Sequence, residues 1–170
     1  ISMPSDKDNI QDENRSQVAA SKAITILLDE NNTIYYFKGK PTGGTDVPDE
    51  GKLFATTYGK DGIRKVLLQS NPKAVAEVKK LKEEFANKAT ANVQKEQVIK
   101  EEYKKRLSDI KNADYTPSVV IKASDKATYD NLIQVLDEMQ LCNIGRYVID
   151  KFAGGDQAKI DAYKQNPGAQ

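Results

Sequence analysis

"SVVIKASDKATYDNLIQVLDEMQLCNIGRYVID", residues 118–150, decides the fold. It opens with an unbroken Val-Val-Ile run (119–121), which fits an inner strand buried on both faces. A glycine-free polar stretch, "ASDKAT" (123–128), follows, and its last residue, Thr128, is a good N-cap. Tyr129, Leu132, Ile133, Leu136 and Met139 then form an apolar stripe at helical spacing. "GRYVID" (145–150) reads as a closing strand. A strand, a helix and a strand over this length predict parallel pairing through a right-handed crossover.

Upstream, "KAITILLD" (22–29) and "TIYYFKGK" (33–40) are rich in β-branched and aromatic residues. The turn formers "DENN" (29–32) lie between them and predict a hairpin. Alternation puts Ile24, Ile26 and Leu28 on one face of the first strand. On the second it sets Ile34 and Tyr36 opposite Tyr35 and Phe37. "PTGGTDVPDEG" (41–51) is a loop by its Gly and Pro content, and "KLFATTY" (52–58) is a weaker strand. "KDGIRKVLLQSN" (60–71) predicts a short helix with Ile63, Val66 and Leu67 inward, and Pro72 is placed to open another.

Residues 73–111 are Lys/Glu/Ala-rich. Val75, Val78, Leu81 and Phe85, then Val93, Ile99, Tyr103, Leu107 and Ile110, recur near helical spacing. Glu84/Lys88, Glu96/Lys100, Glu101/Lys105 and Glu102/Arg106 are i,i+4 pairs with the acid first, the favoured order. "NKATAN" (87–92) interrupts the helix, so the segment reads as a solvated helical hairpin, with a partner-binding arm as the sharper alternative. Residues 1–21 are a flexible lead-in, and 151–170 a polar C-terminal tail with one short helix. The expected fold class is α+β: a two-layer domain with a small mixed β-sheet packed against helices, over 22–150, plus a helical insertion at about 60–112.

Composition narrows the chemistry. With 170 residues the chain can bury a core without disulfides or metals. It is 30% charged, yet its net charge of +1 gives no general pull toward nucleic acid. The absence of histidine excludes Ser-His-Asp triads, HExxH zinc sites and histidine proton shuttles. One cysteine, Cys142, excludes an intrachain disulfide and CxxC motifs, and reads as small packing material. No stretch approaches the roughly 20 apolar residues of a membrane helix. The chain begins with Ile1 rather than Met, so it reads as a piece of a longer protein.

No nucleotide or catalytic motif is complete. The "ASDKAT" loop lacks the glycine of a phosphate cradle, and Gly51-Lys52 is followed by Leu53 rather than Ser or Thr. Ser70-x-x-Lys73 and Ser108-x-x-Lys111 match SxxK, but KTG and SDN companions are missing. The adjacent acids Glu83-Glu84, Glu101-Glu102 and Asp137-Glu138 read as solvated helix faces. The residues argue against an enzyme, and no cofactor or metal is expected.

Three segments resemble the periplasmic part of the ExbD/TolR family of biopolymer transport proteins. "ISMPSD" (1–6) is similar to the stretch that follows the family's membrane helix, and "AITILLDENNTIYYFKGK" (23–40) to its first hairpin. Residues 118–150 carry the most specific likeness: Val120, Ile121, Lys122, Ala123, Asp125, Tyr129, Leu132, Val135 and Asp137 match the family's run in order. The stretch 41–117 is far longer than the family's usual middle. The membrane helix and its proton-coupled Asp are missing, so this piece has no proton path by that route. The resemblance implies the periplasmic domain of a single-pass inner-membrane protein, with 1–21 as the linker that follows the membrane. It also implies an ExbB/TolQ-type channel partner, a TonB- or TolA-type protein energised from the proton-motive force, and a homodimer. A TolR-like peptidoglycan anchor is the alternative.

A sheet edge can accept an extended peptide as an added strand. The last strand supplies the candidate partner-binding residues Arg146, Tyr147, Val148 and Ile149, with Tyr147 as an aromatic anchor. The competing reading makes Tyr147 and Ile149 core or dimer contacts.

Overall fold

The computed structural model describes residues 22–39, 49–88 and 91–167. The lead-in over 1–21, most of the loop over 41–51 and the last three residues of the tail lie outside them. In chain order the elements are β1 (Ala23–Leu28), β2 (Ile34–Lys38), β3 (Phe54–Thr56), α1 (Ile63–Gln69), α2 (Pro72–Ala86), α3 (Val93–Lys111), β4 (Ser118–Ala123), α4 (Tyr129–Leu141), β5 (Tyr147–Lys151) and α5 (Gly154–Gln165).

The strands form one mixed sheet in the order β3-β2-β1-β4-β5. β1 and β2 pair antiparallel, with Ile26 opposite Tyr36. Their turn places Asn31 and Asn32 at φ 57° and 56°, the left-handed region that Asn tolerates best after Gly. β1 pairs parallel with β4, and β4 parallel with β5, so Ile26, Ile121 and Ile149 line up across three strands. The Val-Val-Ile run is thus the inner strand that its composition predicts.

The side-chain alternation holds. Ile24, Ile26, Leu28 and Ile34 enter the main core with Val119 and Ile121, and Tyr36 packs against it. α1 and α4 cover that face through Ile63, Leu67, Val135 and Met139. Val66 is half-buried and packs against the same core. The sharp entry into α1 needs glycine, because a Cβ on Gly62 would meet the Thr57 carbonyl oxygen at 2.1 Å.

α4 is rotated by part of a turn from the expected stripe: Leu132 and Leu136 still pack half-buried against the main core. Its buried residues are Asn131, Val135, Glu138 and Met139, while Tyr129 is 78% exposed. Two polar contacts set the rotation. Asn131 Oδ1 accepts from Thr128 N (2.9 Å), and Asn131 Nδ2 donates to Asn32 Oδ1 (2.9 Å). Further along, the Arg64 guanidinium holds Glu138 inward through two bonds of 2.8 and 2.9 Å. Thr128 is the N-cap, as its position predicts.

The opposite face of the sheet carries a smaller core of Leu27, Tyr35, Phe37 and Leu53. α5 lies against it through Ile160 and Tyr163. The expected two-layer packing describes the main core, and α5 adds a partial third layer.

α2 and α3 form the expected hairpin, with 89 and 90 of its break outside the described residues. Ala74, Val78 and Leu81 seat α2, whereas α3 buries no residue. Val75 and Val93, placed inward by spacing, are exposed. Glu96/Lys100 pairs within α3 at 3.6 Å, and Glu84 pairs with Lys88, just past the end of α2, at 3.8 Å. Arg106 instead crosses to Glu84 (2.8 Å), and Lys88 reaches Glu102 (4.0 Å). Phe85 meets Tyr103 edge-on with centroids 5.4 Å apart.

Candidate partner-binding edge

β5 is an outer strand: among the described residues only β4 pairs with it. Its start is fixed by close packing. Gly145 N donates to Lys111 O (2.9 Å), and a Cβ at Gly145 would lie 2.8 Å from Asn112 Oδ1. The end of α3 therefore rests on the chain where it enters β5.

The register decides which backbone groups face outward. Val119 N donates to Arg146 O (2.9 Å), and Val119 stands opposite Tyr147. In a parallel ladder one residue uses both of its groups toward the same neighbour, so Val119 and Ile121 serve β5. Consistently, Ser118 N and Ser124 N turn to the β1 side, to Lys22 O and Leu28 O. On β5, residues 146, 148 and 150 then bond to β4. The N–H and C=O of Tyr147 and Ile149 point away from the sheet. Lys151 N faces outward too, but the Asp150 carboxylate accepts from it at 2.7 Å.

The four predicted residues fall on this strand with different duties. Tyr147 and Ile149 are half-buried and pack against the main core. Val148 is on the other face and 38% exposed. Arg146 precedes the strand, and its guanidinium is already engaged. Nη2 donates to Thr116 O (3.0 Å) and Ser118 Oγ (2.9 Å), and Nη1 lies 3.7 Å from Asp114 Oδ1. Its side chain braces the entrance to the strand, while its carbonyl belongs to the ladder. Asp150 and Lys151, at the far end of the same edge, were not singled out from sequence. Their charge on an otherwise apolar strand, the usual mark of a protected edge, is the signal that points to them.

The loop between β4 and α4 is closed on itself. Ser124 Oγ donates to the buried Asp29 carboxylate (2.8 Å) and accepts from Lys126 N (3.2 Å). Ala127 N donates to Ser124 O (3.1 Å). The loop is a structural corner. Beside it, at the C-terminal ends of β4 and β5, lies an open cleft of about 550 Å³. Ser124, Asp125 and Lys126 line one side, and Ile149 to Gly154 with Gln157 the other. Its walls are continuous with the outer edge of β5.

Together these features define an α+β scaffold with one face built on aliphatic packing and, among the described residues, the outer edge of β5 left without a neighbouring strand. The chain belongs to the ExbD/TolR family: the family described as "Biopolymer transport protein ExbD/TolR" matches residues 1–153. Members of this family are transport accessory proteins that serve biopolymer transport. Neither the curated proteins nor the solved structures include a match to the chain. Among the described residues, no helix is long and apolar enough to cross a membrane.

Proposed function

We propose that this chain is the periplasmic domain of an inner-membrane protein that works with an ExbB/TolQ-type channel. It engages a TonB-type protein and helps to energise outer-membrane transport, and it does so as a homodimer. The partner adds an extended segment to β5. Family membership supports the setting, and one observation carries the site: the outward N–H and C=O groups of Tyr147 and Ile149 on an edge strand. Those groups supply affinity without regard to sequence, and flanking side chains supply selectivity. Val148 on one face and the cleft at the strand's end offer those side-chain contacts.

The test is a titration of the isotope-labelled domain with the extended periplasmic segment of the cognate TonB-type protein, read by amide NMR. Shifts concentrated on 145–151 and on β4 are expected. A peptide N-methylated at alternate residues should lose binding in one phase and keep it in the other, since only one set of its N–H groups faces the sheet. Equal binding of both phases, or no shift at millimolar peptide, would sink the strand-addition reading. Tyr147→Glu should abolish binding, and this variant is informative only if its amide spectrum stays folded, because Tyr147 also packs on the core.

A further inference from the structure

α5 begins at Gly154, one residue beyond the segment that matches the family. It covers the apolar patch of Leu27, Tyr35, Phe37 and Leu53 with very little of its own apolar surface. Asp156 and Ile160 are its buried residues, and Tyr163 is half-buried against Tyr35, centroids 5.5 Å apart. The rest of the attachment is electrostatic and ordered along the helix. Asp156, in the first turn, takes Lys122 Nζ at 3.2 and 3.3 Å. Lys159 lies over the Phe37 ring at 4.9 Å. Lys164, in the last turn, lies 3.6 Å from Glu30 and 3.8 Å from Asp29. The sheet face therefore has a cation at one end, acids at the other and an apolar floor between.

The join to β5 is built for freedom. Gly154 and Gly155 open the helix side by side, and a Cβ on either would meet nothing within 4 Å. Neither takes a positive φ. The seated conformation thus needs no glycine at either place, and each glycine weakens the helix relative to alanine. The N-cap position is Ala153, which has no side chain to accept from the first turn, so when seated the turn is closed by Asp156 Oδ2, which accepts from Ala153 N (2.8 Å). What two adjacent glycines do provide is a hinge when the helix is off the sheet.

We propose that α5 is a displaceable cover, and that the face beneath it is a docking site for an amphipathic helix of a partner protein. Charge complementarity defines that helix: an acid in its first turn for Lys122, an aliphatic and an aromatic residue in the middle, and a base in its last turn for Asp29 and Glu30. The site lies on a sheet face, apart from the outer edge of β5, and meets it only at the cleft, to which α5 contributes Gly154 and Gln157. The tethered α5 competes at the high effective concentration of an intramolecular ligand, and a partner must displace it.

The experiment uses the full chain and a fluorescent peptide with the sequence of residues 152–167. Ile160→Asp puts a carboxylate on the apolar floor and should release α5. The peptide is expected to bind this variant at least about tenfold more tightly than the unaltered chain, read by anisotropy. A peptide carrying Asp156→Lys and Lys164→Glu should bind at least about tenfold more weakly than the first, because both end contacts become repulsive. Failure of the first peptide at millimolar concentration, with β1 and β4 amides still protected, overturns the proposal. So does a concentration-dependent dimer made by exchange of α5, since the occupant is then a second copy. If Ile160→Asp unfolds the domain, hydrogen exchange on the unaltered chain decides. α5 amides opening about 100-fold more readily than β1 and β4 support a displaceable cover, and exchange at the rate of the sheet overturns it.

Discussion

Asn71 holds the junction of α1 and α2 to the far end of α4. It is fully buried, and its Nδ2 donates to Cys142 O (3.0 Å) and Asn143 O (3.2 Å). Asn71→Ala removes the donor from the buried Cys142 carbonyl and the partly buried Asn143 carbonyl, and should cost about 1–3 kcal/mol in a denaturant melt. Asn71→Asp should cost more, because it sets an anion against those same carbonyls. Next to it, Cys142 is buried with its Sγ 3.8 Å from Arg64 O. Burial pushes its thiol up to about 12, with the Glu138 charge adding to the rise and Arg64 opposing it. The thiol has an ordinary value of 9.0. Above that value the unfolded chain sheds a proton that the folded chain keeps, so stability falls as pH rises from about 9 toward 12. The loss of stability between pH 9 and 10 should be shallower in Cys142→Ala than in the unaltered chain, and native Cys142 should resist thiol reagents until the protein unfolds. Its packing role was legible from sequence as a lone cysteine at the end of an apolar helix. Asn71 was not legible: an Asn before a Pro reads as a turn, and only the fold brings α4 to it.

At the scale of elements, the α2–α3 hairpin is anchored through α2, whose Ala74, Val78 and Leu81 are buried. α3 has no fully buried residue; Ile99, Tyr103, Leu107 and Ile110 are half-buried, and the Phe85–Tyr103 contact and the Glu84–Arg106 pair tie its middle to α2. A solvated helix of this kind gains little from propensity alone and depends on its neighbour. Tyr103→Ala should therefore speed amide exchange over residues 85–104 by about tenfold or more, while the midpoint of global unfolding moves by less than about 0.5 kcal/mol. An equal loss in β1 and β4 would show instead that the arm is part of the cooperative core. The hairpin's existence, break and solvation were readable from its Lys/Glu-rich spacing. Its partners were not. The i,i+4 rule places Arg106 with Glu102, both on α3, and α2 offers Glu84 in a better position. The same lesson applies to α4, where apolar spacing turns Tyr129 inward, but the bonds that Asn131 makes and those that Glu138 accepts from Arg64 turn the helix the other way. Periodicity counts apolar residues, so a helix face fixed by buried polar groups escapes it.

At the scale of the whole molecule, local patterns revealed the strands, and long-range order came from elsewhere. The β1–β2 hairpin and the β4–α4–β5 crossover each join neighbours in sequence, and both were predicted from composition and connection length. The β1–β4 ladder that unites them joins strands about ninety residues apart, and no local signal marks it. The third layer was hidden for a different reason. α5 carries only Ile160 and Tyr163 as apolar contacts, so its sequence reads as a polar tail. The edge position of β5 was foreseen, but the direction of its free backbone groups depends on the register with β4, which sequence alone leaves open.

That central ladder has a further consequence. The chain leaves β3 at Thr56 and returns to the sheet at Ser118, so the whole arm is a closed excursion from a finished hairpin. Loop-closure entropy grows only with the logarithm of length, and doubling such an excursion costs about 0.6 kcal/mol. α1 and α2 are packed into the core and the end of α3 rests on the start of β5, so this tolerance belongs to the far tip of the hairpin alone. The connection between α2 and α3 is the place where the chain should lengthen or take up a foreign domain while the β1–β4 seam hardly registers the change.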